Sequence, residues 1–314
     1  MKHQLIFIHG IGNGESTEEY ESLLQGISRA YQQETGISKK EFGQLFEPVF
    51  VNWQKVTYDA ERHVFINSFP NLAVGGGILG NISDWNPMVV REVRALRYFM
   101  TFFLGDIIAY TSPKDNGIRR AVWNDISTPL QTRNIPFSII AHSLGSVVAF
   151  DFLTTLLNPD NQGREAIFVT KGESPRINIS REKVNQIKRN FRHLFTMGAP
   201  INLFFLKSLQ QGNLASIKNP ISAHKNQQWI NFYDYQDVVA FPLKQLFSAA
   251  DNDTNSIEEV VVQTGSMVID SHTNYWQNKA VAKKIAQTLK DSVRTELSQK
   301  DLSASSRPTS VGCY

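Results

Sequence analysis

Residues 139–145 read I-I-A-H-S-L-G, an apolar run that leads directly into Ser143 and then into a second apolar stretch. This pattern predicts a nucleophile elbow, the tight strand-to-helix turn that lifts one hydroxyl clear of a sheet. The positions two before and two after the serine must be small because the backbone is crowded there, and Ala141 and Gly145 meet this condition. The apolar spacing of residues 147–157 predicts a buried helix after the turn. A buried strand followed by a helix that Ser143 merely caps is the alternative interpretation.

Strand-like and helix-like segments alternate along the rest of the chain. The predicted strands are Gln4–His9, Leu45–Trp53, Phe137–His142, Phe191–Met197, Trp229–Tyr235 and Glu259–Gln263. The predicted helices cover residues 16–34, 88–110, 115–133, 144–157, 200–211 and 274–298. This alternation predicts an α/β fold in which helices cover both sides of a mostly parallel central sheet.

We expect residues 1–297 to form a single domain that contains two excursions. Residues 54–115 carry a glycine run and many aromatic side chains, which predicts either an extra helical layer or a helical cap or lid insertion that walls an apolar substrate pocket. Residues 158–190 are polar, and we interpret them as a surface insertion. Residues 298–314 are polar and rich in serine, so we expect a poorly ordered tail.

The composition argues against several classes of function. A net charge of +3 over 314 residues, without dense clusters of Lys and Arg, predicts no nucleic-acid partner. Short basic runs such as Arg119-Arg120 are interpreted as solvated helix faces. Cys313 is the only cysteine, which excludes an internal disulfide and any cysteine-based metal site. Because His and carboxylate residues do not cluster at metal-ligand spacing either, we expect no metal.

The sequence does not predict a membrane span. The apolar stretch 98–110 is shorter than the roughly 20 residues that a span needs, and it contains Asp106. The first apolar run, Leu5 to Ile8, is typical of a strand and not of a secretory signal. We therefore expect a soluble, cytoplasmic protein with no transmembrane segment.

A serine hydroxyl becomes a useful nucleophile only with a base, an orienting acid and donors for an oxyanion. After an elbow of this kind, the acid and the histidine follow in the chain, each beyond a later strand. His272 lies between the last predicted strand and the last predicted helix, so it is the candidate base, although it could simply cap that helix. Asp237 lies in the turn after the fifth predicted strand and is the favoured acid. Asp234 remains the competing acid, and either carboxylate could be only a turn residue.

The loop after the first predicted strand reads G-I-G-N-G over residues 10–14. The turn at Gly10 is predicted to aim the N–H of Ile11 at the site, and the N–H of Leu144 is the second candidate donor for an oxyanion. A nucleotide-binding loop is the alternative interpretation. That alternative fails because Glu15 stands where the dinucleotide fingerprint requires glycine, and no G-K-[ST] sequence follows.

The combination of F-I-H-G-I-G, A-H-S-L-G, Y-Q-D-V-V and D-S-H-T-N-Y-W resembles the lipase and esterase branch of the α/β-hydrolase superfamily. It is most similar to small bacterial lipases and to the wider group of lipase-like serine hydrolases. The bacterial lipases also have alanine in place of the first elbow glycine, as this chain does at Ala141. The resemblance implies the α/β-hydrolase fold and cleavage of carboxylic esters through an acyl-enzyme, with no cofactor. The residues that it implies are Ser143 as nucleophile, His272 as base, Asp237 as its partner, and Ile11 and Leu144 as the oxyanion hole.

Other functions remain open at this point. An acyltransferase, thioesterase or amidase could use the same triad, and a non-catalytic scaffold could keep the fold. Retention of the serine, the acid and the histidine argues against the scaffold. The expected partner is a small-molecule or lipid ester substrate, and transient contact with a membrane surface is open if the aromatic insertion opens at an interface. The sequence leaves the acyl chain length, the head group and the oligomeric state open.

Overall fold

All strands of the central sheet run parallel. The computed structural model describes residues 2–10, 17–68, 87–111, 117–157, 180–204, 219, 221, 227–248, 257–266 and 268–305. Within these residues the strands are β1 (His3–Ile8), β2 (Phe46–Val51), β3 (Phe137–His142), β4 (Phe191–Met197), β5 (Gln228–Tyr233) and β6 (Glu258–Val261). They form one sheet in the order β2-β1-β3-β4-β5-β6. The predicted α/β class is therefore confirmed, with a sheet that is wholly parallel in the described part of the chain.

Helices cover both faces of the sheet, as the alternation predicted. They are α1 (Glu18–Thr35), α2 (Lys39–Leu45), α3 (Tyr58–Ser68), α4 (Pro87–Thr111), α5 (Gly117–Thr132), α6 (Leu144–Leu157), α7 (Arg181–Asn190), α8 (Lys244–Ser248), α9 (Val268–Thr273) and α10 (Lys279–Ser305). Short 3₁₀ helices span Gln54–Val56 and Asn274–Gln277. Of the helix predicted over 200–211, residues 201–204 are helical and the rest lies outside the described residues.

The strands are apolar along their whole length because both faces of the sheet are buried. In β1, Ile6 and Ile8 belong to one core cluster, whereas Leu5 and Phe7 belong to the other. Successive side chains of a strand point to opposite faces, so a continuous apolar run supplies both cores at once. The first core lies under α5, α6 and α7, and the second lies under α1 and α10.

The winding of the chain places a crevice at the carboxyl ends of β1 and β3. From β1 the chain passes outward to β2, and it then returns across β1 to build β3, β4, β5 and β6 in the other direction. In an open parallel sheet, ligands bind where the strand order reverses in this way. The loops that follow β1 and β3 contain Gly10 and Ser143, and they meet at this crevice.

A buried polar cluster fastens the end of the 54–115 excursion to the core. Tyr110 of α4 donates a hydrogen bond to Asp151 of α6, and Arg119 of α5 forms an ion pair with the same carboxylate at 2.8 Å. All three side chains are buried. The prediction that Arg119-Arg120 marks a solvated face is therefore wrong for Arg119, because a carboxylate on the neighbouring helix compensates its charge inside the protein.

Two other expectations need correction where the structure describes them. The last ten residues of the 158–190 segment form α7, whose Val184 and Ile187 are buried, so this part belongs to the helical layer and not to a surface insertion. The final helix was expected to end near Ser298, yet α10 continues to Ser305, because residues 298–305 contain neither glycine nor proline. Residues 158–179, the glycine run 75–77 and the tail 306–314 lie outside the described residues.

No helix in the described ranges combines the length and the apolar character that crossing a membrane requires.

Candidate active site

Ser143 occupies a strained turn between β3 and α6. Its backbone angle φ is 53°, and no other non-glycine residue among those described has a positive φ. Conformations of this kind cost of order 1–3 kcal/mol and cluster at functional sites. The Ser143 N–H donates to the Met197 carbonyl at the end of β4, at 2.9 Å. This bond and the apolar α6 behind the turn hold the strained residue in place.

The loop after β1 packs directly against this turn. A Cβ atom at Gly10 would lie 2.3 Å from the Cβ of Ser143, and one at Gly145 would lie 2.3 Å from the His9 carbonyl oxygen. Only glycine fits at either position, since real Cβ contacts do not come so close. The small residue two places after the serine, which the sequence predicted from crowding, is required by this approach of the β1 loop.

Ser143, His272 and Asp237, which we call the candidate triad, form one hydrogen-bonded line. The Nε2 atom of His272 lies 2.8 Å from the Ser143 Oγ. Its Nδ1 atom lies 3.0 Å and 2.9 Å from the two Asp237 carboxylate oxygens. The carboxylate can accept only a proton on Nδ1, so neutral His272 presents an unprotonated Nε2 to the serine hydroxyl. This is the tautomer that a general base needs.

The structure brings Asp237, and not Asp234, to His272. Asp237 lies in the turn after β5, where its Oδ1 also accepts the N–H of Val239 at 3.0 Å. Asp234 instead fastens the loop ahead of α9, accepting the N–H and hydroxyl of Thr264 at 2.6 Å and 2.8 Å. Burial by itself would raise the pKa of Asp234, but the hydrogen bonds from Thr264 and Gln236 outweigh burial and lower that pKa.

The sequence suggested that His272 lies in an open loop before the last helix. In the structure it lies in the short helix α9. Its carbonyl oxygen lies 2.6 Å from the Nε2 of His142, the residue before the serine. A carbonyl can only accept, so His142 donates through Nε2. Burial, helped by the nearby His272, holds the pKa of His142 well below its ordinary value and keeps the ring neutral. This bond ties the base to the strand that carries the nucleophile.

Tyr275 is a further site residue to which the sequence analysis assigned no role. Its hydroxyl donates to Asp237 Oδ2 at 3.0 Å and accepts the Asp234 N–H at 2.9 Å. It therefore holds the Asp237 oxygen that lies 2.9 Å from His272 Nδ1, and it links this oxygen to the end of β5. Its position three residues after His272 was visible in the sequence, but its partners lie 38 and 41 positions away, and no local pattern pairs them.

The structure describes only one of the two predicted oxyanion donors, Leu144. Leu144 directly follows Ser143 and is the first residue of α6, so its N–H has no acceptor within the helix. Ile11 lies outside the described residues. The chain leading to it is held by His9, whose N–H donates to Tyr20 and whose carbonyl accepts from the Trp53 indole at 2.9 Å.

Comparison of the whole sequence with protein-family models and with curated proteins finds no match.

Proposed function

We propose that this protein is a serine hydrolase that cleaves carboxylic esters through an acyl-enzyme on Ser143. The observation that carries the proposal is the hydrogen-bonded line from Ser143 Oγ through His272 to Asp237. A strained serine at the end of a buried strand, beside a histidine in the basic tautomer, is the arrangement expected of an activated nucleophile. A serine that merely capped α6 would need neither partner.

In this mechanism, Nε2 of His272 removes the Ser143 proton while Oγ attacks the ester carbonyl carbon. The N–H of Leu144, together with that of Ile11, stabilises the negative oxygen of the tetrahedral intermediate. His272 then gives its proton to the departing alkoxide, and it later activates the water that releases the acid. Asp237 stabilises the imidazolium at each proton transfer, and no cofactor takes part.

We further propose that the fold is an α/β-hydrolase fold in which residues 54–115 act as a cap. Ser143 is fully buried, so an ester can reach it only when a covering element moves. Helix α4 is a suitable element, because it contacts α9, the helix that carries His272. Along α4 the exposed side chains of Met100, Leu104 and Ile108 form an apolar stripe that is compatible with a lipid ester or with transient contact at an interface.

The first test is labelling with a fluorophosphonate probe, read by intact mass. We expect one adduct on the parent protein and none on Ser143→Ala. Ser146→Ala is the matched control. The Ser146 hydroxyl lies on the same helix but donates to the Ala141 carbonyl at 3.1 Å, so its removal should leave the single adduct on Ser143 in place. An adduct that survives in Ser143→Ala would refute the assignment of the nucleophile.

The second test is turnover of a short-chain and a long-chain ester below and above the concentration at which each aggregates. A rise in rate on aggregation supports the cap at an interface, and flat kinetics contradict it. Competition by alcohol, amine or thiol acceptors separates hydrolysis from acyl transfer, and thioester and amide analogues test the related activities.

A further inference from the structure

A cavity lies between α3, α4 and the start of α5. Its volume is about 460 Å³. Its wall is largely apolar and includes Val56, Ala60, Val64 and Ala109. Val56 and Val64 are 44% and 53% exposed, so the cavity opens to solvent on that side. The space is large enough for a small organic molecule and far larger than one metal ion requires.

Glu61 lines this cavity, and among the described residues its buried carboxyl group has the Asp106 carboxyl and the Thr57 hydroxyl as polar neighbours. The residue is 7% exposed, and neither carboxyl oxygen makes a hydrogen bond of normal geometry with a residue that the structure describes. Helix α4 approaches it closely at Gly105, where a Cβ atom would lie 2.7 Å from Glu61 Oε1. Ionisation of this carboxyl group would be costly, because none of the residues that line the cavity carries a positive charge.

A second carboxyl group, that of Asp106, lies beside Glu61. Asp106 accepts a hydrogen bond from Thr57 at 2.7 Å and is fully buried. Burial first, and the adjacent Asp106 second, raise the pKa of Glu61 to about 9. The other segments that line the cavity present uncharged residues there, namely Gly117 and Ile118 of α5 and Val56 of the 3₁₀ helix. Glu61 is therefore neutral at pH 7 until a positive charge arrives.

We propose that this cavity binds a small alkylammonium ion, with the ammonium group on the Glu61 carboxylate and the alkyl chain along the apolar wall. An ammonium group supplies the compensating charge that the lining residues do not carry, together with strong hydrogen-bond donors. The aliphatic side chains match an alkyl body. A metal ion is a poorer fit, since no group of three or more His, Cys, Asp or Glu in the described ranges is placed to hold one. The inference does not rest on the proposed hydrolase activity.

Calorimetric titration of the full-length protein with n-butylammonium tests the proposal, with n-butanol as the uncharged analogue. Near pH 7 we expect saturable binding that releases about one proton per ligand, seen as a heat that changes with the ionisation enthalpy of the buffer. Because Glu61 must lose its proton, affinity should rise about tenfold per pH unit between about pH 6 and pH 8. The ligand stays charged over this range, as a lysine ammonium does.

Two variants and one control locate the site. Glu61→Gln keeps the shape of the neutral acid and should weaken n-butylammonium at least about thirtyfold. Val64→Lys brings a tethered ammonium to the half-exposed side of the cavity and should block the ligand while Glu61 remains. Asp59→Asn removes an exposed carboxylate from the same helix and should change nothing.

Equal binding of n-butanol, unchanged binding in Glu61→Gln, or no saturation by n-butylammonium would each overturn the proposal. Binding without proton release would also overturn it, because Glu61 would then not be the group that meets the ammonium. If Glu61→Gln is unstable, Val64→Lys provides the test: loss of binding supports the proposal, and unchanged binding overturns it.

Discussion

Buried neutral histidines should make the free energy of unfolding depend strongly on pH. Burial lowers the pKa of His193 from 6.5 to about 3 and that of His9 to about 4. In each case the histidine is protonated below pH 6.5 in the unfolded chain, whereas in the native protein it stays neutral until the pH reaches its lowered pKa. The stabilisation is therefore complete above pH 6.5, and it is lost as the pH falls towards the native pKa.

The loss can be worked out for a fall from about pH 8 to about pH 5. At pH 5 an unfolded histidine is almost fully protonated, whereas His193 and His9 remain neutral in the native state. Linkage then gives a loss of about 2 kcal/mol for each of the two residues. Glu61 acts with the opposite sign, because its pKa is raised to about 9 and its native proton stabilises the fold increasingly as the pH falls towards 4.5. His3 and His142, whose pKa values burial also lowers, add to the loss of stability in acid, whereas Glu61 opposes it. Single variants must therefore separate the contributions.

Urea denaturation at about pH 8 and pH 5 measures each contribution. Between about pH 8 and pH 5, the unfolding free energy of His193→Gln should fall by about 2 kcal/mol less than that of the parent protein. Exposed His63 provides the control, and His63→Gln should leave the change as it is in the parent. If His193→Gln shows the parental pH dependence, burial does not hold this histidine neutral and the reasoning fails.

Three further variants test the candidate acid and its neighbours. Asp237→Asn should lower kcat by about 10⁴-fold in an ester assay, because the amide no longer holds His272 in the basic tautomer. Asp234→Asn should mainly lower thermal stability, by weakening the bonds to Thr264, and an equal loss of kcat there would reverse the assignment of the acid. Tyr275→Phe removes the acceptor of the buried Asp234 N–H, which should cost about 1–3 kcal/mol of stability. The melting temperature should fall by roughly 2–5 °C for a chain of this length, and kcat should fall less than about tenfold since Asp237 still contacts His272. A larger loss of kcat with an unchanged melting temperature would mean that Tyr275 acts in catalysis and not in positioning.

The regular elements were the most predictable part of the fold. The apolar runs of β3 and β4 were predicted with the bounds that the structure has, and α6 likewise. A strand buried on both faces must be apolar throughout, so its sequence pattern is dense and its ends are sharp. The short helices α2, α7 and α9 were not predicted, because a helix of six to ten residues contains too few turns for a clear period.

Individual polar residues were harder to place. Arg119 and its neighbour Arg120 look identical in the sequence, yet Arg119 is buried and Arg120 is exposed. The difference comes from Asp151, which lies 32 positions away on another helix. In the same way, the burial of Glu61 beside Asp106 depends on α4 approaching α3 at Gly105, and no pattern within α3 indicates this.

By itself, the sequence determined the α/β class and the six strands, and it pointed to Ser143 and His272 as two members of the candidate triad. It could do so because each of these features has a local sequence pattern: an apolar run, small residues near a serine, or a histidine after the last strand. Only the tertiary structure placed Asp237, and not Asp234, beside His272, showed the hydrogen bonds of His142 and Tyr275, and revealed the cavity at Glu61. Those features depend on atoms a few ångströms apart in space but tens of residues apart in the chain, and only the folded sheet brings them together.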